Sequence, residues 1–266
     1  MMTKKSLFLF KLSIFALVFC FGNVALSVGD IAQAAKYKKP SQEQWSFDGF
    51  FGTYDRAALQ RGYQVFEQVC SSCHGLEHLH FRNLEAIGYS PEEVKAIAAN
   101  YPVEVRDGPD ERGQMFTRPA RPTDSIPYPF ANEAEAKFVN KVAPPDMSLI
   151  VSARHYGADY IHALLTGYKE PPEGETVTEG LYYNPYFPGK NIAMAPPIIM
   201  DGQVEYKDGT EATIEQMSKD VTHFLAWASD PHMESRKRMG FAVCLFLIIF
   251  SGLMYGVKKK LWKDLQ

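Results

Sequence analysis

Met239 to Val257 is a run of 19 residues without a charge in a chain of 266. As an α-helix, at 1.5 Å per residue, it would be about 28 Å long, close to the ~30 Å hydrocarbon core of a bilayer. Arg236-Lys237-Arg238 precede it and Lys258-Lys259-Lys260 follow it. Lysine clusters on both flanks argue against a buried core helix and for a single membrane span. Tyr255 and Trp262 fall where an aromatic belt meets the inner interface. A water-soluble fold must therefore be built from residues upstream.

The other end carries a second apolar run. Lys4, Lys5 and Lys11 are followed by 18 uncharged residues, Leu12 to Gly29, and then by Ala32-Gln33-Ala34. A basic start, an apolar stretch and an A-x-A site match a secretory signal peptide cut after Ala34, residues 1–34. An uncleaved N-terminal anchor is the alternative, since 18 apolar residues nearly span a bilayer. Either way the segment that follows is exported. The segment lacks the Arg- and Ser-rich amphipathic character of a mitochondrial transit peptide. Basic residues on both sides of the C-terminal run cannot orient it, but the exported start does. Residues 35–235 are expected on the periplasmic side of a bacterial inner membrane, 236–260 as the anchor with its flanks, and 261–266 as a cytoplasmic tail.

This division reorganises the charge. The whole chain sums to −3, but residues 35–235 hold 18 Lys+Arg and 29 Asp+Glu, a net of −11. The excess basic residues sit in the targeting segment and around the anchor. An acidic domain favours a basic partner and disfavours nucleic acid, so no nucleic-acid partner is expected. Acidic surfaces also serve solubility alone. The stretches Glu104-Asp107-Asp110-Glu111 and Glu170-Glu173-Glu175-Glu179 are candidates for steering such a partner.

The cysteines divide in the same way. Of four, Cys20 lies in the leader and Cys244 in the anchor, so the domain keeps Cys70 and Cys73, within Cys70-Ser71-Ser72-Cys73-His74. A thioredoxin-like redox pair would need a surrounding βαβ pattern, which is not seen. A zinc site would need four ligands, and no second Cys pair or H-x₃₋₅-H completes one; His78 and His80 have the wrong spacing. C-x-x-C-H is the attachment site of a c-type haem, with two thioethers and the adjacent histidine as proximal ligand. One such motif implies one covalently bound haem c, and attachment outside the cytoplasm agrees with export.

The flanking pattern is helical. Asp55 can cap a helix with Ala58, Val65, Phe66 and Val69 on its apolar face. Ser90-Pro91-Glu92-Glu93 opens a second with proline in its first turn. Asp146 is expected to cap a helix through Arg154, and Ala158–Thr166 to form another ending at Gly167. Thr213-x-x-Gln216 starts a helix that ends at Asp230-Pro231. Residues 101–145 and 168–212, rich in Pro, Gly and Tyr, are expected to be long loops. The expected fold is mostly α: a c-type cytochrome domain with long irregular loops, plus one C-terminal transmembrane helix.

Low-spin electron carriers fill the sixth iron position with Met or His; activating haems leave it open. The domain offers Met115, Met147, Met194, Met200, Met217 and Met233, besides His78, His80, His155, His162, His223 and His232. Met217 lies on an apolar helix stripe and fits the core. Met233 is too near the membrane. Met194, in Ile192-Ala193-Met194-Ala195-Pro196-Pro197, stands in a proline-bounded loop able to hold a thioether at a fixed point. On pattern alone, ligation and packing both remain open for it.

The ordered motifs resemble the cytochrome c1 family, the haem-bearing subunits of ubiquinol–cytochrome c reductase. They are Gly62–His74, Gly113-Gln114-Met115-Phe116-Thr117-Arg118-Pro119, Ala143-Pro144-Pro145-Asp146-Met147-Ser148, Leu164-Leu165-Thr166-Gly167-Tyr168, Asn184–Gly189 and Arg236-Lys237-Arg238-Met239-Gly240. They run from about Trp45 to Lys263. The resemblance implies His74 and Met194 as axial ligands, and so as the metal-binding residues. It places Arg118 near a haem propionate, with Pro144, Pro145 and Arg154 shaping the pocket. It implies cytochrome b and a Rieske iron–sulfur protein as partners, a cytochrome c as electron acceptor, and no bond-breaking catalysis by this chain alone. Met147 stands where the family more often has leucine. Extra domain cysteines that brace some bacterial members are lacking here. A membrane-tethered haem enzyme with an open sixth site, and an anchored carrier serving another dehydrogenase, are the competing classes.

Overall fold

The computed structural model describes residues 37–263, so the leader and the last three residues lie outside the described part. Six α-helices occur among the described residues: α1 Arg56–Val65, α2 Pro91–Ala99, α3 Glu133–Asn140, α4 Gly157–Thr166, α5 Ile214–Ser229 and α6 Met233–Trp262. Three antiparallel strand pairs accompany them. β1 (Leu76–His80) pairs with β4 (Ser125–Ile126), β2 (Val105–Asp107) with β3 (Phe116–Arg118), and β5 (Tyr182–Tyr183) with β6 (Asn191–Ile192).

The caps follow from local sequence. Asp55 Oδ1 accepts from the amides of Ala57 and Ala58, 2.9 and 3.3 Å away. Ser90 and Glu93 form a reciprocal capping box on α2. Thr213 Oγ1 accepts from Gln216 N at 3.1 Å, satisfying one amide that the first helical turn leaves unpaired. Two expectations are corrected. Residues 148–156 form successive turns, not a helix, although the Asp146 carboxylate does accept from Ser148 N as well as from Glu77 N. The stretches 101–145 and 168–212 are not loops throughout; they contain α3 and five of the short strands.

The core forms where α1 crosses α5. At the crossing a Cβ on Gly62 would lie 2.0 Å from Asp220 O and 2.7 Å from Phe224 Cβ. Only glycine lets the two backbones approach this closely. Tyr63, Phe66, Phe224 and Trp227 pack edge-on and tilted through this contact with ring centroids 5.5–5.8 Å apart, and Leu59, Val65, Met217 and Val221 fill the space around them. Arg61 bridges the same helices through Nε to Asp220 Oδ2 at 2.8 Å and NH2 to Oδ1 at 3.0 Å. A bidentate arginine suits this nearly buried carboxylate.

The segment before α1 straps the domain. Trp45 Nε1 donates to Asp159 Oδ1 at 2.7 Å, and its ring packs edge-on against His162 and His223. His223 Nδ1 faces Lys219 O at 3.1 Å. Burial holds its imidazole below the usual histidine range, against smaller opposing effects of the Lys219 carbonyl, Asp220 and Asp55, while the Lys219 charge adds slightly to the lowering. A buried neutral histidine takes up its proton more readily when the chain unfolds. Stability is therefore expected to fall as pH drops below about 6.5. Denaturation midpoints should decline between about pH 7 and pH 5, and His223→Gln should flatten that decline.

α6 is 30 residues long, has mean hydropathy 2.2 over its most apolar window, and is the one described helix long and apolar enough to cross a membrane. It begins at Met233, upstream of the basic triplet. Glu234 in its first turn accepts Tyr54 N at 2.8 Å and pairs with Arg56 at 2.7 Å, tying the helix to the start of α1.

Candidate functional site

α1 runs into a single π-turn, Phe66–Cys70, which ends on the first cysteine of the motif. Such turns inside helices often mark functional positions. Cys70 is buried and Cys73 half-buried, and both thiols are unbridged. Burial pushes the Cys70 thiol up to about 12, so it stays protonated and unreactive toward chance oxidants. The chain turns once more, His74 N donating to Cys70 O at 2.9 Å. Both thiols and the imidazole are thereby brought into one turn.

His74 is clamped from outside the motif. Its Nδ1 lies 2.7 Å from Pro145 O. A carbonyl can only accept, so Nδ1 carries the proton and Nε2 keeps its lone pair. Burial also lowers the histidine's proton affinity. A neutral imidazole with one nitrogen locked to a carbonyl is how proteins present a metal-ligating histidine. Met147 N donates to Gly75 O at 3.0 Å, Glu77 N to Asp146 Oδ2 at 2.8 Å and His78 N to Ser148 Oγ at 3.1 Å. Residues 145–148 thus line the motif's exit like an added strand. A Cβ on Gly75 would meet Tyr128 Cα at 2.9 Å, so a third segment closes on the same turn. Beside it opens a cleft of about 680 Å³ whose wall includes Val105, Tyr128, Phe130, Pro144 and Pro145.

Met194 lies just beyond the β5–β6 hairpin and is half-buried. Tyr168 Oη donates to its carbonyl at 3.1 Å. Upstream, fully buried Asn184 anchors the hairpin by donating to Leu164 O on α4 at 2.8 Å. Downstream, Gln203 donates to Pro197 O and accepts from Ile199 N, each at 2.9 Å. This polar bracing does what a disulfide would otherwise do.

Arg118, on β3, makes a different set of contacts. Its Nε donates to Asp107 at 2.5 Å and its two terminal nitrogens to Asp124 at 2.6 and 3.0 Å, while NH1 also reaches Pro119 O. The guanidinium holds both carboxylates below the usual range. Four of its five N–H groups are thereby used. The acidic stretches named from sequence are partly neutralised as well: Asp107 pairs with Arg118 and Glu175 with Lys190.

The donor set fits a covalently held c-type haem: two free thiols at i and i+3, then an imidazole whose tautomer is fixed for ligation. No cluster of three or more His, Cys, Asp or Glu suited to a metal ion occurs among the described residues. The resemblance named Pro145 for the pocket but not its carbonyl as the His74 partner, and sequence reasoning missed Asp146 and Ser148 as supports of the motif and Tyr168 and Gln203 as braces of the methionine loop. Their partners lie up to 71 residues away, and no local periodicity marks them.

Comparison with known proteins agrees. The chain is 42% identical over 262 residues to cytochrome c1 of Rhodospirillum rubrum, covering 92% of this chain and 95% of that one. It is 47% identical over 248 residues to the mitochondrial heme protein cytochrome c1 1 of Arabidopsis thaliana, covering 92% and 80%. It is 49% identical over 266 residues to cytochrome b/c1 of Bradyrhizobium diazoefficiens, of which it spans 38%. A model of the Cytochrome C1 family matches residues 45–265, a stretch that takes in the strap, the cysteine motif, the methionine loop and the long apolar helix. By that match the chain belongs to the cytochrome c1 family.

Proposed function

We propose that this chain is the membrane-anchored, mono-haem electron carrier of a ubiquinol–cytochrome c reductase, accepting one electron at a time from a Rieske iron–sulfur protein and yielding it to a cytochrome c. The observation that carries the reading is the His74 Nδ1 to Pro145 O contact of 2.7 Å, which prepares Nε2 for iron. Cys70 and Cys73 would hold the group by thioethers, and His74 and Met194 would be its axial ligands. The bound haem supplies a one-electron iron couple. The protein's own residues fix the ligands, exclude water and present a charged face.

Arg118 is proposed to reach a propionate through its one uncommitted N–H, or by release of Asp107, the more exposed of its two carboxylates. Cytochrome b is the proposed neighbour of α6, supported by the joined name of the Bradyrhizobium relative. The exported start of the sequence supports a domain on the periplasmic side of a bacterial inner membrane.

The test is purification of the chain from its own membranes. Cytochrome b and a Rieske protein should accompany it, and haem should remain on the chain through a denaturing gel. In a Cys70→Ser, Cys73→Ser variant that haem signal should vanish. A wild-type chain isolated alone, with haem extractable by acid and solvent, would refute the reading.

A further inference from the structure

Phe50 and Phe51 sit at the tip of the 46–53 loop, and both are exposed, Phe51 to 84%. Their rings pack edge-on, with centroids 5.0 Å apart. Single exposed apolar residues are ordinary, but an adjoining aromatic pair on a fixed loop marks a contact surface.

The loop is built to hold that pair. Thr53 N donates to Ser46 O at 3.0 Å, closing its neck. Gly49 turns it at φ +70°, and a Cβ on Gly52 would lie 2.0 Å from Asp48 O. Lys237, from the second turn of α6, directs its ammonium to three loop carbonyls: Phe47 O at 2.8 Å, Gly49 O at 2.7 Å and Gly52 O at 3.1 Å. All three N–H groups of this lysine are spent on the loop, not on solvent. The loop is therefore fixed to the anchor.

Its position on the anchor identifies the occupant. The Phe50 ring lies 6.1 Å from the ring of Phe241, the third residue of the uncharged run. At 1.5 Å per residue, Phe241 is about 3 Å past the start of that run, the level at which headgroups give way to acyl chains. A lipid surface that begins on α6 at Met239 therefore continues onto Phe50 and Phe51. Asp48, two residues before Phe50, is exposed as well.

We infer that Phe50 and Phe51 form a second membrane contact, inserting into the leaflet beside α6 and fixing the domain's orientation on the bilayer. An anchor alone leaves the domain free to swivel about one helix end. A wedge locked to that helix by Lys237 removes the freedom, and holds the His74 side of the domain at a set height above the membrane.

The inference rests on α6 spanning the membrane, and the test separates the two. The full-length holoprotein, with Cys244→Ser as background, carries a nitroxide at Phe51→Cys in phosphatidylcholine nanodiscs. Phe241→Cys reports the span and Glu170→Cys reports water. At position 51, collisions with oxygen should exceed those with a water-soluble nickel chelate severalfold, as at 241. A ratio reversed to that of position 170 would overturn the wedge while leaving the span intact. Exclusion of both reagents would overturn it in favour of burial against protein, within the chain or against a second copy of it. A water-like ratio at 241 would overturn the span itself, and the wedge with it.

Discussion

Gly62→Ala is expected to lower the unfolding free energy by about 3 kcal/mol, at the upper end for overpacking a well-filled core. The added Cβ would meet Asp220 O at 2.0 Å. That atom belongs to the backbone of α5, so no side chain can swing aside and the helices must separate. Separation unstacks Tyr63, Phe66 and Phe224 and stretches the Arg61–Asp220 pair on the same face. It also tilts the end of α1, where the π-turn delivers Cys70. Guanidinium midpoints of the detergent-solubilised holoprotein would show the loss, and Gly62→Leu should prevent haem-loaded protein from accumulating. Gly240→Ala is the control, because nothing lies within 4 Å of the added atom there. Equal midpoints for Gly62→Ala and wild type would mean that the helices do not approach as closely as described.

That crossing was visible in the sequence only in part. The apolar faces of α1 and α5 and their caps at Asp55 and Thr213 were legible, because caps and periodicity are local. That Gly62 is the contact point was not legible: a glycine inside a helical pattern looks like a simple weakness until its partner is known. Asp146 shows the same limit in reverse. An aspartate ahead of an apolar stretch is a good helix-cap signal, yet its carboxylate serves an amide 69 residues back, on β1. One carboxylate oxygen keeps the local amide of Ser148 while the other holds β1, and the segment that follows forms a series of turns.

The site divides along similar lines. Cys70, Cys73 and His74 were legible because the chemistry of attachment fixes their spacing. The groups that would make His74 a good ligand were not, since a proline carbonyl has no side-chain signature. Arg118 lies between. The family resemblance implied an anion for its guanidinium, and the structure supplies two from the chain itself, Asp107 and Asp124. The net −11 of the domain conceals such pairing, so the acidic face presented to a partner is weaker at Asp107 and Glu175 than the count of carboxylates implies.

Met194→Leu is expected to remove the sixth ligand and lower the reduction potential by on the order of 100 mV or more. A thioether favours the reduced iron; leucine offers no donor. For a one-electron couple, each 59 mV is about a tenfold change in equilibrium constant. The variant's equilibrium constant as an electron acceptor would therefore fall about fiftyfold or more. Leucine is near methionine in volume, so the loop between the β5–β6 hairpin and Pro196 should keep its packing. Tyr168, Asn184 and Gln203 hold the loop through backbone atoms and are untouched by the change. Loss of the low-spin spectrum with the unfolding midpoint retained is thus the expected pair of results. Tyr168→Phe provides the graded case. It deletes one hydrogen bond to Met194 O, worth about 1 kcal/mol, so added imidazole should displace the thioether about fivefold more readily while the potential moves little. A Met194→Leu protein that kept its low-spin spectrum and its potential would show that another of the domain's methionines or histidines faces the iron.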